Sequence, residues 1–244
     1  MSRKRKRLWI ILGAILVAIL LVCVGFVAYV GDYYHADEMA AQAMAVANDV
    51  TVSKTDGDDL VFTPSNPKAG LILYPGGKVE YTAYAPLMRA CAEKGFLCVL
   101  VKMPCNLAVL DMDAADGISE QYPDIDTWYI GGHSLGGAMA AAYAADHSGE
   151  LDGLILLAAY STKDLNSSGL KVLSVYGSED RVLNREKYGE YRKNLPPGTT
   201  EIVIEGGCHA GFGSYGPQEG DGAPTITGEE QVMRTASEIA SCFG

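Results

Sequence analysis

The sequence predicts an α/β domain on a mostly parallel, eight-stranded sheet with helices on both faces, preceded by one N-terminal transmembrane helix. Two observations support this: an uncharged apolar run near the N-terminus, and shorter apolar runs that alternate with helical stretches. Strands that are buried on both faces of a parallel sheet are typically continuous apolar runs. With 244 residues, the chain is long enough for one domain with a sizeable core.

The N-terminal run, residues 8–30, contains 23 apolar or small residues and no charge. As a helix it would be roughly 35 Å long at about 1.5 Å per residue, enough to cross a bilayer. The basic residues 3–7 before it should stay cytoplasmic, which places the rest of the chain outside the cell. A cleaved signal peptide is the alternative, but its apolar region is usually about 7–15 residues long. We therefore expect an anchor.

This interpretation divides the chain into a cytoplasmic basic segment (1–7), an anchor (8–30), a helical stalk (31–49) and a domain (50–244). The first 30 residues hold five of the 19 basic residues and none of the 30 acidic ones. The remainder therefore carries a net charge of −16. Such a surface repels nucleic acid and anionic lipid, so we expect no nucleic-acid partner and a small neutral or cationic substrate.

The predicted elements alternate in the way expected for a parallel sheet. Eight strands are predicted at 50–53, 60–63, 70–74, 96–102, 127–131, 154–158, 171–176 and 201–204. Five helices are predicted at 84–94, 107–120, 135–146, 185–194 and 229–242. Only a short polar connection separates the first two strands, which predicts a hairpin and a mixed sheet at one edge.

The pattern Gly132-His-Ser134-Leu-Gly136 lies between an apolar strand and an Ala-rich helix. A serine at such a strand-to-helix turn is exposed as a nucleophile, and the turn is tight enough that flanking side chains would clash. Gly132 and Gly136 avoid that clash. The sequence therefore predicts Ser134 as a nucleophile at the N-terminus of a helix, where free N–H groups favour negative charge.

A serine hydroxyl needs a base to accept its proton, and His209 is the candidate because it lies just past the last predicted strand. The other three histidines lie in the stalk, inside the turn before Ser134, and at the far end of the following helix. An acid should follow a strand between Ser134 and His209. Asp180 fits best, with Glu179 as a close alternative and Asp164 as a distant one.

An oxyanion hole needs two backbone donors. The N–H of Leu135, directly after the nucleophile, should be one of them. The other should come from the loop after the third strand, where either Gly77 or Lys78 fits. The sequence leaves these two alternatives open, and it implies neither a metal ion nor an organic cofactor.

Four stretches resemble the dienelactone-hydrolase-like, fold-5 branch of the α/β-hydrolase superfamily: 74–79, 101–108, 131–138 and 206–222. The resemblance spans about residues 50–243 and implies an eight-stranded hydrolase fold and an ester-type substrate. Members of the wider group often have a cysteine nucleophile, whereas this chain has Ser134. The expected function is therefore a carboxylesterase-like serine hydrolase. A non-catalytic binding domain and an acyltransferase on the same scaffold are the alternatives.

Caps in this superfamily usually insert after the sixth strand, where this chain has only Ala159 to Gly169 before the seventh. We therefore expect an open, shallow site, suited to short acyl groups or to the end of a larger surface molecule. In this fold the first and last helices share one face of the sheet, so a Cys91–Cys242 disulfide is geometrically allowed. The oligomeric state is left open by the sequence.

Overall fold

The computed structural model of the chain describes residues 3–45 and 49–244. They form two units, one ending at Tyr33 and one comprising Tyr34–Gly244. The first unit is helix α1 (Arg3–Gly31), whose length and composition suit either a membrane span or a signal sequence. Its large apolar side chains, such as Ile10 and Val22, are exposed. Residues 1 and 2 of the predicted cytoplasmic segment lie outside the described part of the chain.

The second unit is built on one eight-stranded sheet in the order β1-β2-β4-β3-β5-β6-β7-β8. The strands are β1 (Val50–Lys54), β2 (Leu60–Pro64), β3 (Ala69–Tyr74), β4 (Phe96–Leu100), β5 (Trp128–His133), β6 (Gly153–Leu157), β7 (Lys171–Gly177) and β8 (Thr200–Ile204). Each lies within two residues of its predicted bounds. β2 pairs antiparallel with β1 and β4, and the other pairs are parallel, so the predicted mixed edge is confirmed.

Helices cover both faces of this sheet. They are α2 (Glu38–Met44), α3 (Ala85–Ala92), α4 (Leu135–Asp146), α5 (Arg185–Tyr191) and α6 (Gly228–Phe243). Because successive side chains of a strand point to opposite faces, β3 contributes to two cores. Leu71 and Leu73 pack with α3 and α6, whereas Ile72 packs with α4. The parallel strands β3 to β8 thus place the loops at their carboxyl ends along one edge of the sheet.

The predicted helix at 107–120 is wrong. Within and around this span, residues 104–121 instead contain the short 3₁₀ turns Pro104–Asn106, Ala108–Leu110 and Ser119–Gln121. Three aspartates and Gly117 lie in the predicted span, and aspartate side chains compete for the backbone hydrogen bonds of a helix. Gly117 has a positive φ of 68°. Ala108, Ala115 and Ile118 of this region are nevertheless buried.

The segment predicted as a stalk is largely part of the compact unit, which begins at Tyr34 rather than at residue 50. Helix α2 buries Ala40 and Ala43, and the Arg89 guanidinium donates a hydrogen bond to the Ala43 carbonyl. The Asp37 carboxylate caps α2 by accepting hydrogen bonds from two backbone N–H groups of its first turn. Small alanines allow this helix to pack closely on the domain. Residues 46–48 of the predicted stalk lie outside the described part.

The six cysteines all lie in the described part of the chain, and all are free thiols. The Cys91–Cys242 disulfide that the sequence allowed is therefore not formed. Cys91 instead lies beside Cys98 in the core: burial, together with a hydrogen bond to Cys91, raises the pKa of the Cys98 thiol well above its ordinary value. These two cysteines act as small core residues.

Candidate active site

The turn at Ser134 joins the end of β5 to the start of α4. Ser134 has φ 53° and ψ −120°, an unfavourable conformation for a residue with a side chain. The Ser134 N–H donates to the Leu157 carbonyl at 2.9 Å, which fixes the turn against β6. The Ser134 side chain is thus held half-buried at the carboxyl edge of the sheet, at the N-terminus of a helix.

The two glycines of the turn allow close approach of three backbone segments. A Cβ atom at Gly132 would lie 2.5 Å from the Gly136 carbonyl carbon, and one at Gly136 would lie 2.2 Å from the Pro75 oxygen. Real Cβ atoms do not approach backbone atoms this closely, and backbone cannot swing aside as a side chain can. The expected steric reason for glycine at both positions therefore holds.

His209 and Asp180 form a buried pair at the same edge of the sheet. The two residues follow β8 and β7, respectively, and the His209 Nδ1 and Asp180 Oδ2 atoms are 2.9 Å apart. The other oxygen of Asp180 accepts hydrogen bonds from the backbone N–H groups of Val182 and Leu183, at 2.9 and 2.8 Å. Because the carboxylate can only accept, His209 carries its proton on Nδ1 and presents the lone pair of Nε2.

The alternative acids are not part of this pair. Glu179 is half-buried and accepts a hydrogen bond from the neighbouring Ser178 hydroxyl at 3.3 Å. Asp164 is exposed and accepts hydrogen bonds from Asn166. Among the three acids considered from sequence, the structure brings only Asp180 to His209.

The lone pair of His209 Nε2 is buried and has no hydrogen-bond partner among the described residues. No hydrogen bond joins it to the Ser134 hydroxyl. The two residues are linked through His133, which directly precedes Ser134 and whose ring centroid lies 4.5 Å from that of His209. His209 and the Ser134 hydroxyl thus share one edge of the sheet without being in hydrogen-bond contact.

The backbone donors near Ser134 separate the two alternatives for the oxyanion hole. Leu135 is the first residue of α4, so its N–H has no intrahelical acceptor. The Lys78 N–H donates to the Asn106 carbonyl at 2.8 Å and is therefore already used. The Gly77 N–H has no acceptor within the described ranges, and Gly77 lies against the Leu135 side chain, where a Cβ would come within 2.8 Å of Cδ2. The geometry favours Gly77 over Lys78.

Two residues near the site were missed by sequence reasoning. Asp221 accepts hydrogen bonds from the N–H groups of Ala210 and Arg181, so it joins the loop of His209 to the turn of Asp180. Burial raises the pKa of Asp221, but its backbone hydrogen bonds outweigh burial and hold that pKa below its usual value. The sequence gives no spacing signal for this contact, because Asp221 lies 40 residues from Arg181.

His133 was dismissed as a base from sequence, yet it is packed inside the site. Burial and the neighbouring His209 imidazole lower the pKa of His133 well below its usual value, so it stays neutral at physiological pH. Cys208, directly before His209, is the nearest thiol in sequence. Burial and the Asp221 charge raise the pKa of Cys208 to about 11, which keeps it protonated and poorly nucleophilic.

The residues after α1 contact both loops of the site. Tyr34 donates its N–H to the Lys78 carbonyl and accepts from the Glu80 N–H, each at 2.8 Å, in a parallel bridge beside the loop of Gly77. Asp37 donates its N–H to the Ser214 carbonyl and accepts from the Ser214 hydroxyl, in the loop of His209. The segment 34–45 therefore holds the two loops at one end.

A cavity of about 690 Å³ lies beside the His209 loop, lined by that loop, by the start of α6, and by Asp37 and Met39. Ser134 and His209 are not among its lining residues. The connection between β6 and β7 contains turns and no helix, so nothing there covers the sheet edge as a cap would. Within the described ranges, no cluster of three or more His, Cys, Asp or Glu side chains could hold a metal ion.

Comparison with known proteins agrees with this architecture. A model of the Alpha/beta hydrolase family matches residues 70–233, which is more than half of the chain, so the chain belongs to the α/β hydrolase family. No curated protein matches it.

Solved structures share the fold at low sequence identity. A dienelactone hydrolase from Anabaena variabilis is 13% identical with a TM-score of 0.59, covering 80% of this chain and 98% of its own. An esterase domain from a Rhodothermus marinus protein is 11% identical with a TM-score of 0.57, covering 79% and 95%. A predicted CIB-like hydrolase from Thermoplasma acidophilum is 16% identical with a TM-score of 0.55, covering 79% and 98%.

Proposed function

We propose that this α/β hydrolase is a carboxylesterase-like serine hydrolase that cleaves an ester through a Ser134–Asp180–His209 triad and an acyl-enzyme intermediate. The observation that carries the proposal is the buried His209–Asp180 pair, at the same sheet edge as the strained turn of Ser134. A buried imidazole whose Nδ1 proton is held by a carboxylate, with an unpartnered Nε2, is suited to general-base work.

In the proposed mechanism, the Ser134 oxygen attacks the ester carbonyl while His209 Nε2 accepts its proton. Asp180 orients His209 and stabilises the imidazolium. The N–H groups of Leu135 and Gly77 bind the oxyanion. His209 then protonates the leaving alcohol, and water releases the acyl group by the same steps in reverse. The missing Ser134–His209 hydrogen bond fits this scheme, since such contacts are often long before substrate binds.

The proposed substrate is a small neutral or cationic acyl ester, or an ester at the end of a larger molecule. The absence of a helix between β6 and β7 supports an accessible site. The acidic surface disfavours anionic substrates, because the chain outside its first 30 residues has a net charge of −16. The triad and the oxyanion donors need neither a metal ion nor an organic cofactor for this reaction.

We further propose that residues 8–30 anchor the protein in the cell membrane, with residues 1–7 in the cytoplasm and the hydrolase domain outside. The length of α1 and the five basic residues at its start support this orientation. The proposed domain begins at Tyr34, since residues 34–45 pack on it. Protease treatment of intact cells should degrade the domain, and protection of the domain would contradict the orientation.

The central experiment compares Ser134→Ala with the wild-type protein. The variant should lose turnover of p-nitrophenyl acetate and labelling by a fluorophosphonate probe, while keeping its circular dichroism spectrum. Ser237→Ala is the matched control, because the Ser237 hydroxyl is exposed and bonds only to the Met233 carbonyl of its own helix. Turnover or labelling that survives in Ser134→Ala would overturn the assignment of the nucleophile.

The same assay separates the alternative functions. A wild-type protein that neither turns over esters nor reacts with the probe would indicate a non-catalytic binding domain. Adding competing alcohols and analysing the products distinguishes hydrolysis from acyl transfer: an acyltransferase should give the ester of the added alcohol in preference to the free acid.

A further inference from the structure

The two proposed oxyanion donors belong to different elements, so something must fix their separation. Leu135 begins α4, whereas Gly77 lies in the loop after β3. A transition-state oxyanion is stabilised only by donors held at about 2.7–3.1 Å from it. Movement of either element would therefore weaken the hydrogen bonds from both N–H groups to the oxyanion. The Tyr84 side chain hydrogen-bonds to both the loop of Gly77 and the turn before α4.

Tyr84 is fully buried at the end of a 3₁₀ turn, Tyr81–Tyr84. Its hydroxyl oxygen accepts a hydrogen bond from the Gly76 N–H at 3.1 Å, next to Gly77. The same hydroxyl lies 2.7 Å from Nδ1 of His133, the residue that directly precedes Ser134. One phenol oxygen thus contacts the loop of Gly77 and the turn of Ser134.

The Gly76 N–H can only donate, so the Tyr84 oxygen accepts from it. The Tyr84–His133 hydrogen bond forms with either tautomer of neutral His133: Tyr84 donates when Nδ1 is unprotonated, and Nδ1 donates when it carries the proton. In both cases His133 Nε2 has no partner among the described residues. Burial keeps both groups neutral, since it raises the pKa of the Tyr84 phenol and lowers that of His133.

We propose that Tyr84 is a positioning residue that sets the distance between the oxyanion donors Gly77 and Leu135, through hydrogen bonds to Gly76 and His133. This inference rests on the proposed ester hydrolysis. His133 is the second component: its ring packs on His209 at 4.5 Å between centroids, and on Phe212 at 5.6 Å. Because His133 is neutral, it does not repel His209 when His209 becomes an imidazolium. The nearby charged group is Asp180, which contacts Nδ1 of His209 rather than His133 itself.

The test is Tyr84→Phe in the full-length protein in detergent micelles, with p-nitrophenyl acetate as substrate. We expect kcat to fall about tenfold, because the hydroxyl loses its hydrogen bonds to both Gly76 and His133, with KM changed less than twofold. An aryl trifluoromethyl ketone provides the second readout. Addition of Ser134 Oγ to its carbonyl, with transfer of the hydroxyl proton to His209, places an oxyanion in the hole. Its inhibition constant should rise by the same tenfold factor.

Tyr81→Phe is the matched control, from the same 3₁₀ turn. The Tyr81 side chain is buried, and its hydroxyl donates to the Asp58 carbonyl at 2.9 Å, away from Ser134. The Tyr81→Phe variant should lower the melting temperature by about as much as Tyr84→Phe does. It should leave kcat and the inhibition constant within twofold of wild type. Equal losses of kcat in both variants would show that Tyr84 contributes to stability alone, and would overturn the proposal.

His133→Phe gives an independent test if Tyr84→Phe fails to fold. It keeps an aromatic ring against His209 and removes the hydrogen-bond partner of Tyr84. Because both substitutions break one linkage, the double variant should be no slower than the slower single variant. Additive losses would contradict the linkage. A wild-type protein without turnover or probe labelling would refute the proposed function itself, and is thereby distinguished from an unchanged Tyr84→Phe.

Discussion

The turn of Ser134 requires glycines, which have no side chain, whereas the loop of His209 requires side chains that reach it from distant parts of the chain. Gly132 and Gly136 let backbones approach within distances that a Cβ would prevent. The His209 loop is instead held by Asp180, Gln231 and Asp37, through hydrogen bonds to His209, Cys208 and Ser214. Substitutions that add atoms should thus disturb the first region, the turn of Ser134, whereas substitutions that remove a charge should disturb the second region, the loop of His209.

The largest expected effect is in the second region, for Asp180→Asn. The Val182 and Leu183 N–H groups would select the amide oxygen, which turns the amide NH₂ towards His209 Nδ1. His209 would then carry its proton on Nε2 and could not act as a base. We expect kcat to fall about 10³- to 10⁴-fold with the fold intact. Asp164→Asn, which changes an exposed acid, should leave kcat unchanged. Normal activity of Asp180→Asn would show that Asp180 is not the acid of the triad.

Gly136→Ala tests the first region. The added Cβ would lie 2.2 Å from the Pro75 oxygen and 2.4 Å from the Tyr74 oxygen, so the loop that carries Gly77 must move. We expect about a 100-fold loss of kcat and a loss of about 3 kcal/mol of unfolding free energy. Gly149→Ala is the control, since its Cβ meets nothing within 4 Å. A normal kcat in Gly136→Ala would show that the close approach is not needed.

Asp221→Asn tests whether the contacts between the His209 loop and the Asp180 turn contribute to activity and stability. The amide can satisfy the N–H of Ala210 or those of Gly222 and Arg181, but not all three. We expect a fall of about tenfold in kcat and of about 1–2 kcal/mol in stability at pH 7.

The pH dependence of this variant has a defined sign. The Asp221 pKa is lowered in the folded state, so its stabilisation is present above the unfolded pKa and is lost as the pH falls through the folded pKa. The melting temperatures of wild type and Asp221→Asn should therefore differ from pH 5 to 8 and converge only as the pH falls well below about 3.9, the ordinary Asp pKa. A difference that persists at low pH would mean that the charge is not the cause.

The smallest expected effect is that of Asp37→Ala, which removes the side-chain hydrogen bond between the N-terminal segment and Ser214 in the His209 loop. We expect about 1 kcal/mol of lost stability from the helix cap and about a threefold fall in kcat. Asn184→Ala is the matched control, because the Asn184 side chain caps α5 through the Lys187 N–H and makes no hydrogen bond to the loops of Gly77 or His209 among the described residues. Equal activity in the two variants would show that Asp37 serves α2 alone.

The sequence could predict what depends on local pattern. The eight strands follow from apolar runs, and Ser134, Asp180 and His209 follow from a glycine spacing and from their positions after strands. The contact that the structure forms between His209 and Asp180 agrees with that prediction. The choice between Gly77 and Lys78 was beyond it, because it depends on whether Asn106 accepts a hydrogen bond from Lys78.

The remaining features depend on contacts between residues far apart in sequence. Tyr84 and His133 are 49 residues apart, and Asp37 and Ser214 are 177 apart. No periodicity or motif marks such pairs. The predicted helix at 107–120 is wrong because three aspartates and Gly117 within it favour turns. Alanines, which favour helices in isolation, also suit a helix packed against a protein surface, so composition does not show that residues 34–45 belong to the compact unit.

The position of the segment 34–45 decides which forms of the protein remain complete after proteolysis. A cut between Gly31 and Tyr34 would release a domain that keeps the Tyr34 and Asp37 contacts to both loops. A cut just after Ala45 would remove a strand bridge, a helix and a cap from the domain at once. Under the proposed anchoring, release of the domain with both loop contacts intact is thus expected only from a protease that cleaves within a few residues of α1.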